Sequence, residues 1–392
     1  MRLPTHLISP WTSLVRAVAF SRRFTQPTQV LMSRKQKSAS NKRHKRLSRR
    51  EVSRRWDTPV IESVEELAGY FSTTPKTLLW LAAVAKTSHP GTHYHSKWIR
   101  KRVGHRLIES PLPQLKSVQR AILTDILNPI PVSNFAHAYC KKRNTKSFVA
   151  MHTGRGVCLK MDLRQFFPSI ESRRVGGIFR SLNYPRPVTR LLTGLCTTIA
   201  KPDDIRQLKS MSTSGQQLNR FYATRHLPQG APTSPMLANL IAFRLDCRLD
   251  GLVRPFDGRY SRYADDLLFS FPRDDAHDRQ CRNRLRRLSH RIAAIAIEEG
   301  FEVNYRKTRV MFRSQRQMAT GLILNEKPNC VRRKYDQLKA TLHNCIHSGP
   351  ESQNRDNHPY FQAHLKGQIQ WIAYLNPARG EKLNQQFERI QW

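Results

Sequence analysis

The chain has 392 residues, long enough to bury one large core or two to three lobes without help from disulfides or a structural metal. Lys and Arg number 68 against 28 acidic residues, a formal net charge of +40 that predicts a polyanionic partner held mainly through its phosphates, with nucleic acid ahead of an anionic membrane surface. No uninterrupted apolar stretch approaches the roughly 20 residues that span a bilayer. The seven cysteines are never in a C-x-x-C pair, which argues against a disulfide framework or zinc knuckle and for a reduced, cytoplasmic protein.

The first 31 residues carry arginine and no acid, and the run Leu14-Val15-Arg16-Ala17-Val18-Ala19-Phe20 imitates an organelle presequence or a weak signal peptide. Arg16 interrupts that run, and translation from Met32 is the other reading of the segment. Residues 33–55 are dense in Lys and Arg against one acid, Glu51, with almost no large apolar side chains. Such an arm cannot build a core; alone it is expected to be disordered, serving as an RNA-contacting arm or a solubilising tail.

Globular sequence begins near Trp56. Val64, Leu67, Tyr70 and Phe71 recur at helical spacing, and Ser72-Thr73-Thr74-Pro75 separates them from a second short helix over 78–84. The basic, partly alternating run from Tyr94 to Ile108, with Gly104 inside it, predicts a hairpin. Leu115, Val118, Ile122 and Ile126 mark one face of a helix over 115–127. A short apolar strand over 157–163 ends in Asp162; Pro168 stops it, and a helix can begin at Ser169. After the polar stretch 201–225, the series Met236, Leu237, Leu240, Ile241, Leu245 and Leu249 marks one long buried helix.

Residues 260–271 read as two short strands in a tight hairpin with Ala264-Asp265-Asp266 at its tip. Leu285, Leu288, Ile292 and Ile295 make an amphipathic helix that ends at Gly300, and Phe301, Val303 and Tyr305 alternate as the next strand. The order β, α, β, β, α, β is that of a ferredoxin-like unit and sets the class as α+β. Beyond Asn325 the chain reads as helical, with Tyr335, Leu338 and Leu342 in one helix and Ile369, Ile372 and Leu375 in the last.

An Asp at one strand end, beside a hairpin whose tip offers two more, is a pattern with a chemical use. Phosphoryl transfer from a nucleoside triphosphate needs two metal ions about 4 Å apart to clamp the attacking and leaving oxygens. Mg²⁺ prefers a few carboxylates plus water and phosphate oxygens, and neighbouring strands lie about 4.8 Å apart. Asp162, Asp265 and Asp266 are therefore the candidate catalytic residues and the ligands of two Mg²⁺ ions. A solvated turn is the bland reading of Asp-Asp, but here it follows a basic strand and precedes an apolar one, which holds the acids near a core.

The segment Lys160-Met161-Asp162-Leu163-Arg164-Gln165-Phe166-Phe167-Pro168-Ser169-Ile170 resembles the first catalytic motif of reverse transcriptases, in particular those of bacterial retrons and group II introns. Leu227-Pro228-Gln229-Gly230-Ala231-Pro232-Thr233-Ser234-Pro235 with Asn239 is similar to their nucleotide-pocket motif, and Tyr263-Ala264-Asp265-Asp266 to their metal hairpin. Asn304, Lys307 and Thr308 resemble the motif that follows, and Thr320-Gly321-Leu322 the turn before the thumb. The resemblance spans about residues 95–380. Phe148-Val149-Ala150-Met151-His152 keeps the His of a retron Asn-Ala-x-x-His segment without its Asn, and Ala319-Thr320-Gly321 stands where retron proteins often carry Val-Thr-Gly. Retron enzymes lack the maturase and endonuclease domains that usually follow the thumb in group II intron proteins, and an end at Trp392 favours the retron branch.

The resemblance implies a right-hand polymerase: a basic extension over 1–55, helical and hairpin fingers over 56–155, a ferredoxin-like palm over 156–325 with a finger insertion around 171–226, and a helical thumb over 326–392. It places Leu163 with the metal and nucleotide ligands and Phe167 as the bulky gate against a ribose 2′-hydroxyl, with ordinary packing as that residue's alternative. Gln229 and Gly230 lie along the incoming nucleotide, Arg106 contacts its triphosphate, and Lys307 either protonates the leaving pyrophosphate or neutralises phosphate charge. Arg332, Arg333, Lys334 and Lys339 bind RNA by charge, while Trp371 and Tyr374 stack on it or belong to the thumb core. The implied activity is RNA-directed DNA synthesis from deoxynucleoside triphosphates. A retron enzyme starts at an internal guanosine 2′-hydroxyl of its own structured non-coding RNA, leaves a branched RNA-linked single-stranded DNA, and serves antiphage defence with a separate effector protein. Alternatives are a group II intron-like or other defence-associated reverse transcriptase, and a non-catalytic RNA-binding protein on a polymerase palm, which would not need its carboxylates.

Overall fold

The structure, a computed structural model, describes residues 51, 55–83, 89, 91–101, 104–211, 215–272 and 279–392. The presequence-like segment and nearly all of the basic arm lie outside them, as does Arg102-Val103 at the turn of the predicted hairpin. In chain order the first elements are α1 (Val64–Tyr70), α2 (Pro75–Leu81), β1 (Tyr94–Arg100), β2 (His105–Pro111), α3 (Pro113–Ala121), α4 (Thr145–Ala150) and β3 (Val157–Arg164). There follow α5 (Ser172–Ser181), α6 (Arg186–Cys196), α7 (Pro202–Met211), α8 (Gly215–Tyr222), α9 (Ser234–Ile241), α10 (Phe243–Val253), β4 (Arg259–Tyr263), β5 (Asp266–Phe271) and α11 (Arg279–Glu298). The last are β6 (Glu302–Val303), β7 (Arg309–Phe312), β8 (Met318–Ala319), β9 (Leu322–Ile323), β10 (Asn329–Cys330), α12 (Arg332–Ser348), α13 (Phe361–Leu375) and α14 (Pro377–Phe387). The protein is α+β. All seven cysteines are free thiols, and among the described residues no helix is long and apolar enough to cross a membrane.

Two compact units emerge. The first takes the described residues up to Ser133 together with Gln165–Arg244 and Glu299–Phe301. Its short helices start where the sequence supplies caps: Ser63 accepts from the Glu66 amide at 3.0 Å, and Thr74 accepts from Thr77 just ahead of Pro75. β1 and β2 form the expected antiparallel hairpin, from Tyr94 opposite Pro111 to Arg100 opposite His105. Leu107 of the hairpin packs with Leu208 and Tyr222, so α7 and α8 fill the polar stretch that carried no clear pattern. The helix expected over 115–127 is present, but its last turn, Ile122–Leu127, is π-helical.

The helix expected from Ser169 begins instead at Ser172. Gln165 takes a left-handed backbone, Ser169 folds back onto Gln165 and Phe166, and the Ile170 carbonyl accepts from Leu227 while Glu171 bridges His226. The main chain is thus engaged in pairing through Ser172, whose amide donates to the Arg225 carbonyl at 3.0 Å. The long helix expected over 236–249 is two, α9 and α10, broken at Ala242; a one-residue break leaves the apolar spacing intact and is invisible in it.

The second unit holds Asn134–Arg164, Leu245–Glu298 and Glu302–Trp392. Its sheet is built around β3. One edge of β3 pairs with β5, which in turn pairs with β4; the other edge is shared by β7 along Val157 to Lys160 and β6 along Leu163 and Arg164, all antiparallel. Leu285 of α11 packs on Val157 and Phe312. A second core joins Phe148 of α4 to Leu322, Leu338, Leu342, Ile369, Ile372 and Leu383. The helix of Ile369 to Leu375 is not the last: Asn376 caps a further one behind Pro377, and Gly380 lies so close to α13 that a Cβ there would fall 2.2 Å from that of Ala373.

His152 is fully buried, with its ring nitrogens 2.7 Å from the Ser270 hydroxyl and 2.8 Å from that of Ser261, tying the segment after α4 to both strands of the hairpin. Burial, reinforced by neighbouring positive charge, pushes its pKa down to about 3. The folded protein therefore keeps this ring neutral while the unfolded chain protonates it near pH 6.5. Its contribution to stability is complete above that pH and lost as pH falls toward 3, by on the order of 5 kcal/mol over the whole window. Chemical denaturation between pH 7.5 and about 4.5 is expected to show a shallower acid loss for His152→Asn than for the wild type; parallel curves would remove His152 as the cause.

Candidate active site

β3 carries apolar residues into the interior on both faces, and Asp162 sits near its end with a side chain only 7% exposed. Directly across the ladder from Asp162 stands Asp266, the first residue of β5. Between β4 and β5 the hairpin turns on two residues, Ala264 and Asp265. Ala264 is in the left-handed region at φ +55°, a conformation usual for glycine at this place in tight hairpins. The turn is fixed from both sides: the Leu163 amide donates to the Asp265 carbonyl at 2.8 Å, and the Arg262 guanidinium donates to the Ala264 carbonyl at 3.3 Å. Arg262 is itself completely buried, held by Asp246 through Nε at 2.7 Å and Nη2 at 2.8 Å, while Tyr260 donates to the same carboxylate. Thus all three predicted aspartates are brought to one end of one sheet.

Their charges are partly met from within. Lys307 Nζ lies 2.8 Å from Asp162 Oδ2, Asn304 donates to Oδ1 of the same carboxylate at 3.4 Å, and Lys160 Nζ lies 2.9 Å from Asp266 Oδ1. Burial first, then the charges of Asp162 and Asp266, raise the pKa of Asp265 above the ordinary carboxylate value, against the weaker pull of Lys307. Burial raises Asp266 as well, against the pull of Lys160. Among the described residues no three His, Cys, Asp or Glu side chains stand together as a preformed metal cage. The donor set nevertheless fits Mg²⁺: hard oxygens on rigid strands, crowded enough to favour a positive charge among them, with two of the carboxylates already turned to cations. The Leu163 side chain is buried, so only its main chain can meet a ligand.

Gly230, Gln229, Phe167 and Arg106, singled out in the sequence, lie in the first unit. Gly230 has φ +138°, and a Cβ on it would fall 2.8 Å from the Glu109 carbonyl oxygen, so only glycine fits against β2 there. The Glu109 amide donates to the Gln229 carbonyl at 2.9 Å. Sequence reading missed the pair beneath this turn. His226 and Glu109 are buried and meet at 2.9 Å, while the other ring nitrogen of His226 faces the Thr224 carbonyl at 2.8 Å and must donate to it. One further proton is therefore shared between His226 Nε2 and the Glu109 carboxyl. Phe167 is buried edge-on to Phe166. Arg106 is half-buried, opposite Ile99 in the hairpin, and its Nε finds no hydrogen-bond partner among the described residues.

In the second unit, Arg332, Arg333, Lys334 and Lys339 are exposed on α12, Arg332 within 3.5 Å of Asp336. Trp371 and Tyr374 stack on one another at the surface, 41% and 47% exposed, which removes the core reading; Lys146 covers the Tyr374 ring and Asn144 donates to its hydroxyl.

Residues 99–340 match the family model for reverse transcriptase (RNA-dependent DNA polymerase). The chain is 34% identical to the Retron Mx65 reverse transcriptase of Myxococcus xanthus over 330 residues, covering 84% of this chain and 72% of that protein. It is 33% identical to the Retron Mx162 reverse transcriptase of the same organism, covering 84% and 67%. Against the Retron Ec86 reverse transcriptase of Escherichia coli the identity is 28%, covering 81% and 85%.

Removing one member of the Glu109–His226 pair leaves the other buried and unpaired, at about 3 kcal/mol or more. His226→Leu is expected to lower the stability measured in urea by that amount, and Glu109→Leu/His226→Leu to recover part of the loss. Independent, additive effects in this double-mutant cycle would show that the pair does not act as a unit.

Proposed function

The chain belongs to the retron reverse transcriptases and is an RNA-directed DNA polymerase; from that premise we propose that Asp162, Asp265 and Asp266 form its catalytic centre and hold two Mg²⁺ ions, with the Leu163 main chain beside them. The observation that carries this reading is the register that sets Asp162 opposite Asp266, with Asp265 in the adjoining turn. When bound, the ions supply the charge that activates the attacking hydroxyl and stabilises the leaving pyrophosphate. The protein's own part is positioning. The sheet holds the carboxylates, and the Lys307 ammonium, 58% exposed, is free to swing from Asp162 to phosphate oxygens. Gln229 and Gly230 line the incoming nucleotide, Arg106 meets its triphosphate, and Phe167 rejects a 2′-hydroxyl. In this reading residues 56–155 are fingers, 156–325 a ferredoxin-like palm with a finger insertion around 171–226, and 326–392 a thumb whose Arg332, Arg333, Lys334 and Lys339 grip RNA.

The substrate we infer is a structured non-coding RNA encoded with the protein, part of which is copied from deoxynucleoside triphosphates into branched RNA-linked single-stranded DNA. The setting is the cytoplasm, and the role is antiphage defence beside a separate effector protein. Net charge of +40 supports a partner of this kind. Sequencing the nucleic acid that co-purifies with the protein expressed from its native locus is expected to return a short RNA joined to DNA; intron RNA or untemplated DNA would overturn the retron substrate.

Asp265→Asn and Asp266→Asn are each expected to abolish Mg²⁺-dependent DNA synthesis while RNA affinity and the far-ultraviolet circular dichroism persist; synthesis retained in either would sink the assignment. Phe167→Ala is expected to narrow the preference for deoxyribo- over ribonucleotides by about tenfold or more, read as the ratio of the two kcat/KM values. An unchanged ratio would return Phe167 to ordinary packing.

A further inference from the structure

We propose that the buried Glu109–His226 pair is the positioning device of the nucleotide pocket, setting the turn of Gln229 and Gly230 against β2; this rests on the reading that those two residues line the incoming nucleotide. Three groups of the one residue Glu109 hold three points of that turn. Its carboxylate meets His226 Nε2 at 2.9 Å, its amide donates to the Gln229 carbonyl at 2.9 Å, and its carbonyl oxygen would lie only 2.8 Å from a Cβ on Gly230. Glu109 thus closes the segment from His226 to Gln229 into a ring, by a side-chain bond at one end and a main-chain bond at the other. Inside the ring Pro228 has no N–H, and the Leu227 amide is engaged by the Ile170 carbonyl at 3.0 Å. Arg106 stands three residues before Glu109 on the same strand, so fixing β2 to the turn also fixes the triphosphate contact relative to it.

The histidine is itself held on every side. Its main chain exchanges bonds with that of Thr198 at 2.8 and 3.0 Å, and its Nδ1 donates to the Thr224 carbonyl at 2.8 Å. The Tyr222 ring stands edge-on to it at 5.4 Å and donates through its hydroxyl to Gln165 Oε1 at 3.2 Å, two residues before Phe167. With Nδ1 committed to Thr224, the single proton between Nε2 and the Glu109 carboxyl makes a bond of one fixed direction. Stability alone does not call for such a pair, since apolar side chains of similar volume are often as stable in its place. What apolar contact lacks is direction: it would fill the space beneath the turn and still let the turn slide over β2. A misplacement of about 1 Å in a substrate-holding group is enough to alter kinetics by orders of magnitude. The side chains of Glu109 and His226 are 2% and 0% exposed, so they reach the nucleotide only through the turn they hold.

The test is steady-state DNA synthesis by the full-length protein with Mg²⁺ on poly(rA) primed by oligo(dT), varying dTTP at saturating template–primer and template–primer at saturating dTTP. His226→Leu is expected to raise the KM for dTTP about tenfold while kcat and the KM for template–primer stay within about twofold of the wild type. Glu109→Leu/His226→Leu, which regains part of the stability, is expected to keep the raised KM. Glu109→Gln, whose amide donates to His226 Nε2 in place of the shared proton, is expected to return the KM to within about twofold of the wild type. A merely structural role behaves otherwise, because unfolding removes active enzyme and lowers apparent kcat with KM intact. A wild-type KM for dTTP in His226→Leu, an equal rise in the KM for template–primer, a KM restored in the double variant, or a Glu109→Gln value as high as that of His226→Leu each overturns the positioning role. Gln229→Ala and Arg106→Gln check the premise separately. Wild-type KM in both overturns the pocket reading itself, whereas a raised KM in them beside a wild-type KM in His226→Leu overturns the role of the pair alone.

Discussion

β3 is hydrogen-bonded along both edges, and the candidate active site depends on that. Carboxylates set about 5 Å apart repel by roughly 3 kcal/mol at an effective dielectric near 20. A single ladder hydrogen bond contributes about 1 kcal/mol net, so no isolated loop could hold three of them together. β3 answers with pairing to β5 on one side and to β6 and β7 on the other, and with Leu159, Met161 and Leu163 fully buried. Asp162 is thereby anchored before its charge is considered, and Asp266 is anchored with it.

Charge is handled differently at different depths. At the surface, net +40 is left largely to solvent and to a polyanion. Near the aspartates, Lys160 of β3 itself and Lys307, in the turn whose Asn304 amide bonds to β3, neutralise two of the three. Deepest of all, Arg262 is matched by Asp246, and His152 is kept neutral between two serines. A ring that stayed charged at that depth would strain the hairpin it supports.

The placement of Asp162 at a strand end and of Asp265 and Asp266 at a hairpin tip was legible in the sequence because the apolar alternation around them sets the strands. The β1–β2 hairpin was legible for the same local reason, whereas α2, expected over 78–84, starts earlier, at Pro75 behind its Thr74 cap. What the sequence hid is what depends on distant partners. Glu109 and His226 are 117 positions apart, and neither residue type announces a buried pair. The delayed start of α5 follows from pairing of Ile170 and Glu171 with residues that come much later. α14 was missed because its apolar face is sparse, with Gly380 and Leu383 its buried residues. Trp371 and Tyr374 sit at core-like spacing yet lie outside, a distinction periodicity alone does not make.

The pairing of Arg262 with Asp246 bears on how errors are rejected as the chain folds. Side chains alternate along β4, so a slip of one residue against β5 would expel the guanidinium and bury a neighbour in its place. Asp246, completely enclosed, would then be a stranded charge, costing several kcal/mol. A purely apolar strand would tolerate the slip more cheaply and displace the hairpin tip along the sheet. The buried pair acts as a key with a single fit, so that a molecule able to close its core is, by the same event, a molecule with Asp265 and Asp266 in place.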